Sequence, residues 1–393
     1  MNIYISNIIN SNKLFKILYY TILIFTTAYI FLQLKFDLNA GGNPWKQGDW
    51  LINSEAGLVR RSIAGDFIFF LSDIFKIPIL NMVVLVQTIF LLMLLYFLIY
   101  LGNKIPEKIF FLIVCMPAFF PIFWAADPQG SFRKELIIYT TIFLLIYSIY
   151  VQNKILIWLT LPLFTFTFFS HEALILFAPT IFAIIAISPK QFLEKKEKII
   201  FSILLILIII SAVIFSLKFS NGPHHKLMCQ TLIEKNFSPK ICGGAIHWLN
   251  QSIYDANKNI ISRLEVSFYS HIYFILMYLW SLIPIIYFYL RIPKTFNKFL
   301  LFLTTGLPFF LLYFIALDYG RWMNFHIFSM VSLFFIFELT NKSLNQEIPK
   351  IKNIYIFLFG LSQAFLISPS HTIGIEKFSV FGELTYIIIQ AFN

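Results

Sequence analysis

Hydrophobic runs dominate this chain, and its polar residues lie almost wholly in the gaps between them. Eleven runs stand out, at 17–34, 79–101, 109–125, 136–151, 155–169, 173–187, 199–217, 272–290, 299–317, 323–339 and 354–367. A membrane span needs about 20 mostly apolar residues. The pattern therefore predicts an all-α integral membrane protein, with about 11 transmembrane helices in one polytopic domain over residues 1–393.

The connections between runs are of two kinds, and they alternate. One kind is lysine-rich and otherwise plain, at 103–108, 153–154, 188–198, 291–298 and 341–353. Together with Lys13 and Lys16 these segments define the cytoplasmic side by the positive-inside rule. The first run has no small-x-small site after it, the flank being Leu34-Lys35-Phe36-Asp37, so it reads as an uncleaved signal-anchor. The other connections hold all seven aspartates and five of the six arginines. The first outer loop, 35–77, carries Leu51, Ile52, Leu58, Val59, Ile63, Phe67 and Phe70 at roughly helical spacing, which predicts interfacial helices. The long outer loop, 218–270, contains Cys229 and Cys242, placed so that a disulfide closes a small ring if this side is oxidising. After residue 367, the stretch 378–392 reads as a further interfacial helix.

Composition sharpens this picture in two places. A hydrophobic fraction of 59% with only 12% charged residues excludes an ordinary soluble domain, where about a quarter of residues are charged. The net charge of +11 lies in lysines that flank spans and meet anionic lipid, not in a basic stripe, so nucleic acid is excluded as the partner and the lipid bilayer takes its place. The 48 phenylalanines follow an AT-rich codon bias and carry little functional weight.

Candidate chemistry clusters on the outer side. Arg60 and Arg61, with Glu55 before and Asp66 after, could clamp a phosphate by bidentate charge-assisted bonds, or could lie on an interfacial helix and meet lipid phosphates. Asp127, Arg133, Lys134 and Glu135 put four charges into nine residues at a membrane boundary, where ionisable groups usually face a cavity or a partner. Alternatively Arg133 and Glu135 pair and cap the following helix. Ser170-His171-Glu172 is pressed between two apolar runs, so desolvation would raise Glu172 toward a useful base. The plainer alternative makes Ser170 an N-cap and Glu172 a first-turn acid, and leaves His171 unexplained. Asp318 and Arg321 flank Gly320 in a tight turn, paired with each other or directed into the same cavity as Arg60 and Arg133. His224, His225 and His247 are too loosely arranged to read as a metal site, and nothing in the chain calls for a cofactor.

These outer motifs resemble those of bacterial surface-polysaccharide proteins, namely O-antigen and capsule polymerases of the Wzy type and related lipid-linked glycosyltransferases of the GT-C kind. The residues that carry the resemblance are Glu55, Gly57, Arg60, Arg61 and Gly65; Asp127, Gly130, Arg133, Lys134 and Glu135; His171, Glu172 and Pro179; and Asp318, Gly320, Arg321 and Trp322. The resemblance implies an enzyme of the inner membrane whose site faces outward, acting on undecaprenyl-diphosphate-linked glycan beside other polysaccharide-assembly proteins. It implies arginines that stabilise the diphosphate leaving group, for which Arg60, Arg61, Arg133 and Arg321 are candidates. It also implies a proton acceptor, for which Glu55, His171 and Glu172 are candidates. The repeated-arginine outer loop of some polymerases has no counterpart here, which leaves single-sugar transfer open. Two other classes compete. A flippase would use prolines inside spans (Pro117, Pro121, Pro162, Pro308) but would need polar groups on both faces. A membrane O-acyltransferase would use His171 and need a polar cytoplasmic pocket.

Overall fold

The computed structural model describes residues 12–220, 224–250, 258, 261–262, 268–291, 298–340, 351–372 and 377–378. The expected helix at 378–392 lies outside the described residues apart from its first position. In chain order the α-helices are α1 (Asn12–Asn39), α2 (Gln47–Trp50), α3 (Ile63–Phe75), α4 (Ile79–Gly102), α5 (Glu107–Cys115), α6 (Phe120–Ala126), α7 (Glu135–Tyr150), α8 (Lys154–Ser170), α9 (Ala178–Ile187), α10 (Lys195–Lys218), α11 (His224–Glu234), α12 (Phe268–Arg291), α13 (Lys298–Phe310), α14 (Tyr319–Thr340) and α15 (Asn353–Phe365). The described strands are two residues each, Ile367–Ser368 paired antiparallel with Lys377–Phe378.

Each of the eleven apolar runs is helical. Among the described residues, six apolar helices are long enough to cross a membrane: Asn12–Asn39, Ile79–Gly102, Glu107–Ala126, Lys195–Lys218, Tyr269–Tyr289 and Tyr319–Thr340. The other five are shorter. At about 1.5 Å per residue, the 16 residues of α7 or the 17 of α8 reach roughly 25 Å, against a hydrocarbon core of about 30 Å.

The chain forms two compact units that interleave along the sequence. The first comprises Met1–Leu32, Tyr100–Ser131 and Ala256–Asn393; the second comprises Gln33–Ile99 and Phe132–Asp255.

The first unit is built on α14, which is apolar on every side and buried from Tyr319 to Phe337, as a helix hydrophobic all round should be. The Glu107–Ala126 helix is broken at Met116, which the following Pro117 forces into an extended conformation. The break frees backbone carbonyls at membrane depth, and side chains take them up. Asn324 Nδ2 donates to Ala118 O at 2.7 Å, and Ser368 Oγ to Pro117 O at 3.1 Å.

The second unit is built on α7, buried over almost all its length, with α8 and then α10 packed beside it. Helix α10 starts with a reciprocal capping box from Glu194 and Glu197. Its residues Ile203, Leu207, Ile210, Ile214 and Leu217 recur at i, i+4, i+7, i+11 and i+14 and are all exposed. Such a row is stable only where the solvent is itself apolar, so this face meets lipid. In the first outer loop, helix forms at Gln47–Trp50 and Ile63–Phe75. Residues 51–62 are irregular, with Leu51, Ile52 and Val59 buried in the core of the unit. Tertiary packing overrides the helical spacing there. Gly65 makes it possible, because a Cβ at that position would stand 2.0 Å from Ile52 O. Cys229 and Cys242 are joined by a disulfide that ties α11 to the turn at Pro239–Gly243.

Candidate functional site

The second unit gathers ionisable groups from four separate stretches of chain. The first is α2, whose Asp49 and Trp50 are buried. Trp50 Nε1 and Gln87 Nε2 both donate to Phe132 O, at 2.8 and 2.7 Å, and Gln47 Nε2 donates to Gln87 Oε1 at 3.0 Å. Phe132 has φ +55°, a left-handed conformation unfavourable for a bulky residue, so these bonds hold a strained reversal in place. The reversal delivers Lys134 beside Asp49, with Nζ 3.8 Å from Oδ1 and both side chains buried.

The second strained position is Arg61, at φ +69°. Lys134 Nζ donates to its carbonyl oxygen at 2.8 Å. The guanidinium of Arg61 grips Glu172 in a fork, Nε to Oε2 at 2.8 Å and Nη2 to Oε1 at 2.5 Å, and Arg60 Nη1 reaches Oε1 at 3.2 Å. Two adjacent arginines thus close on one carboxylate.

That geometry corrects the expected role of Glu172. Burial alone would push its carboxyl up, but the charge and hydrogen bonds of Arg61, with His171 and Arg60 adding to them, hold it well below the usual carboxylate range. In this geometry Glu172 holds the arginine pair by three hydrogen bonds. His171 is also reassigned. It, rather than Ser170, is the N-cap of the 3₁₀ turn Glu172–Phe177, and its Nδ1 accepts from Ala173 N at 3.3 Å. A ring that accepts at Nδ1 carries its proton at Nε2. Burial, followed by the Arg61 charge, lowers His171 to about 3, so it stays a neutral donor. Glu55 pairs with Lys235 at 3.1 Å, with both side chains more than a third exposed, and stands outside the pocket. Asp66 Oδ1 accepts from Ser54 N and Oγ at 2.7 and 2.9 Å and fixes the turn before the arginines. Arg133 stacks over Trp45 at 5.4 Å. Glu135 lies buried in the first turn of α7, where a negative charge complements the helix dipole.

Asp49 completes the pocket, and reading motifs along the chain passes over it. Neither of its oxygens makes a hydrogen bond within the chain, although the residue is buried. Burial raises its carboxyl, but Lys134, His171, Arg61 and Arg133 together bring it below the ordinary value. Arg60 Nε, Ser62 Oγ and Ser170 Oγ are likewise buried without a hydrogen bond. Buried polar groups are normally satisfied, so these unbonded atoms set the cluster apart from the rest of the unit. The signal in the sequence is Gly48-Asp49-Trp50, an aspartate beside an aromatic in the loop that also carries the arginine pair.

The remaining expected residues lie in the first unit. The run 127–135 is divided by the fold: Asp127 belongs to the first unit, whereas Arg133, Lys134 and Glu135 belong to the second. Asp318 and Arg321 pair across their turn. Asp127 bonds with Ser370 and His371, two residues that motif reading also misses because they follow the last apolar run. No family model, no curated protein and no solved structure matches this chain.

Proposed function

We propose that this protein is a bacterial inner-membrane enzyme transferring or polymerising sugars from undecaprenyl-diphosphate-linked glycan, with all eleven apolar helices in the bilayer and the Asp49 pocket facing outward. The observation that carries the reading is the buried carboxylate of Asp49, ion-paired with Lys134 but hydrogen-bonded at neither oxygen, in the unit that also holds the Arg60–Arg61 pair. The chemistry asks for a cationic cradle and a proton acceptor in one place. Arg60, Arg61 and Lys134 offset the charge that develops on the departing diphosphate. Asp49 takes the acceptor hydroxyl's proton, that oxygen's electron pair forms the new bond to the sugar carbon, and the bond from carbon to the diphosphate oxygen breaks with its pair. Glu172 keeps the guanidinium planes aligned, and His171 donates from Nε2.

A transport reading draws on one observation, the broken helix at Met116-Pro117. One experiment separates the two: delete the protein, restore it as wild type or Asp49→Asn, and size the lipid-linked and surface glycans. Asp49→Asn is expected to insert normally and reproduce the deletion. Single repeat units without long chains mark a polymerase, and units short of one sugar mark a transferase. Complete units trapped on the inner leaflet mark a flippase. Normal glycan in Asp49→Asn overturns the site.

A further inference from the structure

The first unit holds a second polar constellation that the Asp49 pocket does not use. Asp127 is 1% exposed and accepts four hydrogen bonds. Oδ1 receives Gln129 N at 3.1 Å, and Oδ2 receives Ser370 Oγ at 3.0 Å, His371 N at 2.7 Å and His371 Nδ1 at 2.7 Å. Burial pushes this carboxyl up, but the bonds from His371 and then Ser370 hold it well below the usual range, so Asp127 is ionised. A carboxylate only accepts, so Nδ1 of His371 carries the proton. In the neutral ring the lone pair is then on Nε2. The imidazole is 15% exposed, whereas its carboxylate is sealed. The ring is fixed from behind and open at its far nitrogen.

The fold invests in this placement. A Cβ on Gly320 would stand 1.9 Å from Ser370 O, so only glycine lets the start of α14 meet the 368–371 segment. Ser368 is held at both ends, its hydroxyl on Pro117 O and its carbonyl accepting from Tyr273 Oη at 3.2 Å. If Asp127 served only to tie down this segment, Ser370 Oγ and the His371 amide would suffice. The imidazole adds a third bond to the same oxygen, and its chemical consequence is an oriented Nε2.

We propose that His371, positioned by Asp127, accepts a proton from a hydroxyl of a carbohydrate ligand bound to the first unit. The hydroxyl O–H breaks, its proton goes to Nε2, its electron pair stays on oxygen, and the imidazolium is balanced by Asp127. The ligand class rests on the glycan reading above; the dyad itself does not. Among the described residues, Asp318 and Arg321 at the start of α14 pair with each other, and Lys377 stands on the strand that pairs with Ser368. Tyr273 and Tyr319 supply the nearby phenols.

The test uses full-length protein in nanodiscs, treated with diethylpyrocarbonate, with carbethoxylation at each histidine read by mass spectrometry across pH. His371 is expected to react and His171 to resist. In Asp127→Asn the carbethoxylation of His371 at neutral pH should change at least about twofold, because the carboxylate no longer fixes the ring's orientation and tautomer. Asp127→Glu should restore part of it. An unreactive His371, or an extent of reaction unchanged in Asp127→Asn, overturns the dyad. Should Asp127→Asn fail to fold, ¹⁵N-histidine spectra of the wild type, assigned with His371→Gln, decide the same point. An unprotonated Nε2 supports the dyad, and a protonated Nε2 overturns it. For the ligand, His371→Gln should insert normally and lose surface glycan. Normal glycan there overturns the carbohydrate assignment, while the Asp49 reading stands or falls on Asp49→Asn alone.

Discussion

The two units each hold a histidine beside a carboxylate, and the two histidines are wired in opposite directions. His171 spends Nδ1 on a backbone amide and keeps its proton at Nε2. His371 gives its Nδ1 proton to Asp127 and keeps a lone pair at Nε2. The first is buried among arginines and stays neutral; the second reaches the surface with an anion behind it. Residue type alone assigns no role, because the partner at one ring nitrogen decides what the other can do. The carboxylates differ in the same way. Glu172 and Asp127 accept several hydrogen bonds, whereas Asp49 is buried beside Lys134 with neither oxygen hydrogen-bonded.

The comparison is tested most severely at the two glycines that bring each unit's segments together. Gly320→Ala would drive a methyl onto Ser370 O and Gly65→Ala onto Ile52 O, at 1.9 and 2.0 Å. Because both obstacles are backbone, each change should cost about 3 kcal/mol or more, seen as loss of monodisperse protein on size-exclusion chromatography. Normal yield would mean these approaches do not hold the clusters.

A smaller effect is expected from the ion pairs. Glu172→Gln leaves Arg60 and Arg61 facing each other in a largely buried pocket and should destabilise by about 2–4 kcal/mol. Asp318→Asn, in a local i,i+3 pair of the first unit, should cost less, about 1.5 kcal/mol. Thermal unfolding in detergent compares the two, and equal losses would remove the distinction between a gathered and a local ion pair.

The mildest probe is pH. Burial lowers Lys134 to about 8 even with Asp49 beside it, so its charge is present below that value and lost above it. Inorganic pyrophosphate binding to the purified protein should weaken as pH rises through about 8, and Lys134→Arg should remove that step. On the acid side the sign reverses. Glu172 and Asp49 are held below their ordinary values, so their stabilisation is complete above the unfolded carboxylate range and is lost as pH falls. His171 acts in the same direction, since the unfolded chain takes up its proton below about 6.5 while the folded chain stays neutral to about 3.

Much of the scaffold is legible in the chain. Every apolar run is helical over most of its length, because a long stretch without charge has no better way to satisfy its backbone in lipid. Arg60–Arg61, Lys134 and His171–Glu172 stood out as separate polar clusters between apolar runs, with nothing to say that they meet. Other features did not stand out. Residues 51–62 have helical spacing and are not helical, since spacing does not report that Trp50 and Gln87 hold the neighbouring Phe132 reversal. Asp49 looked like one aspartate among seven, because only three-dimensional neighbours reveal that its oxygens are buried and unbonded.

What the sequence determined by itself is the solvent and the secondary structure, since hydrophobic run length and lysine placement are local properties set by transfer to the bilayer. What the tertiary structure decided is the division of 127–135 between two units, the grip of Arg60 and Arg61 on Glu172, and the pairing of Asp127 with His371, 244 residues away. Those outcomes depend on which charges meet at low dielectric. A Coulomb interaction there reaches its strength within a few ångströms, a distance that separation along the chain does not encode.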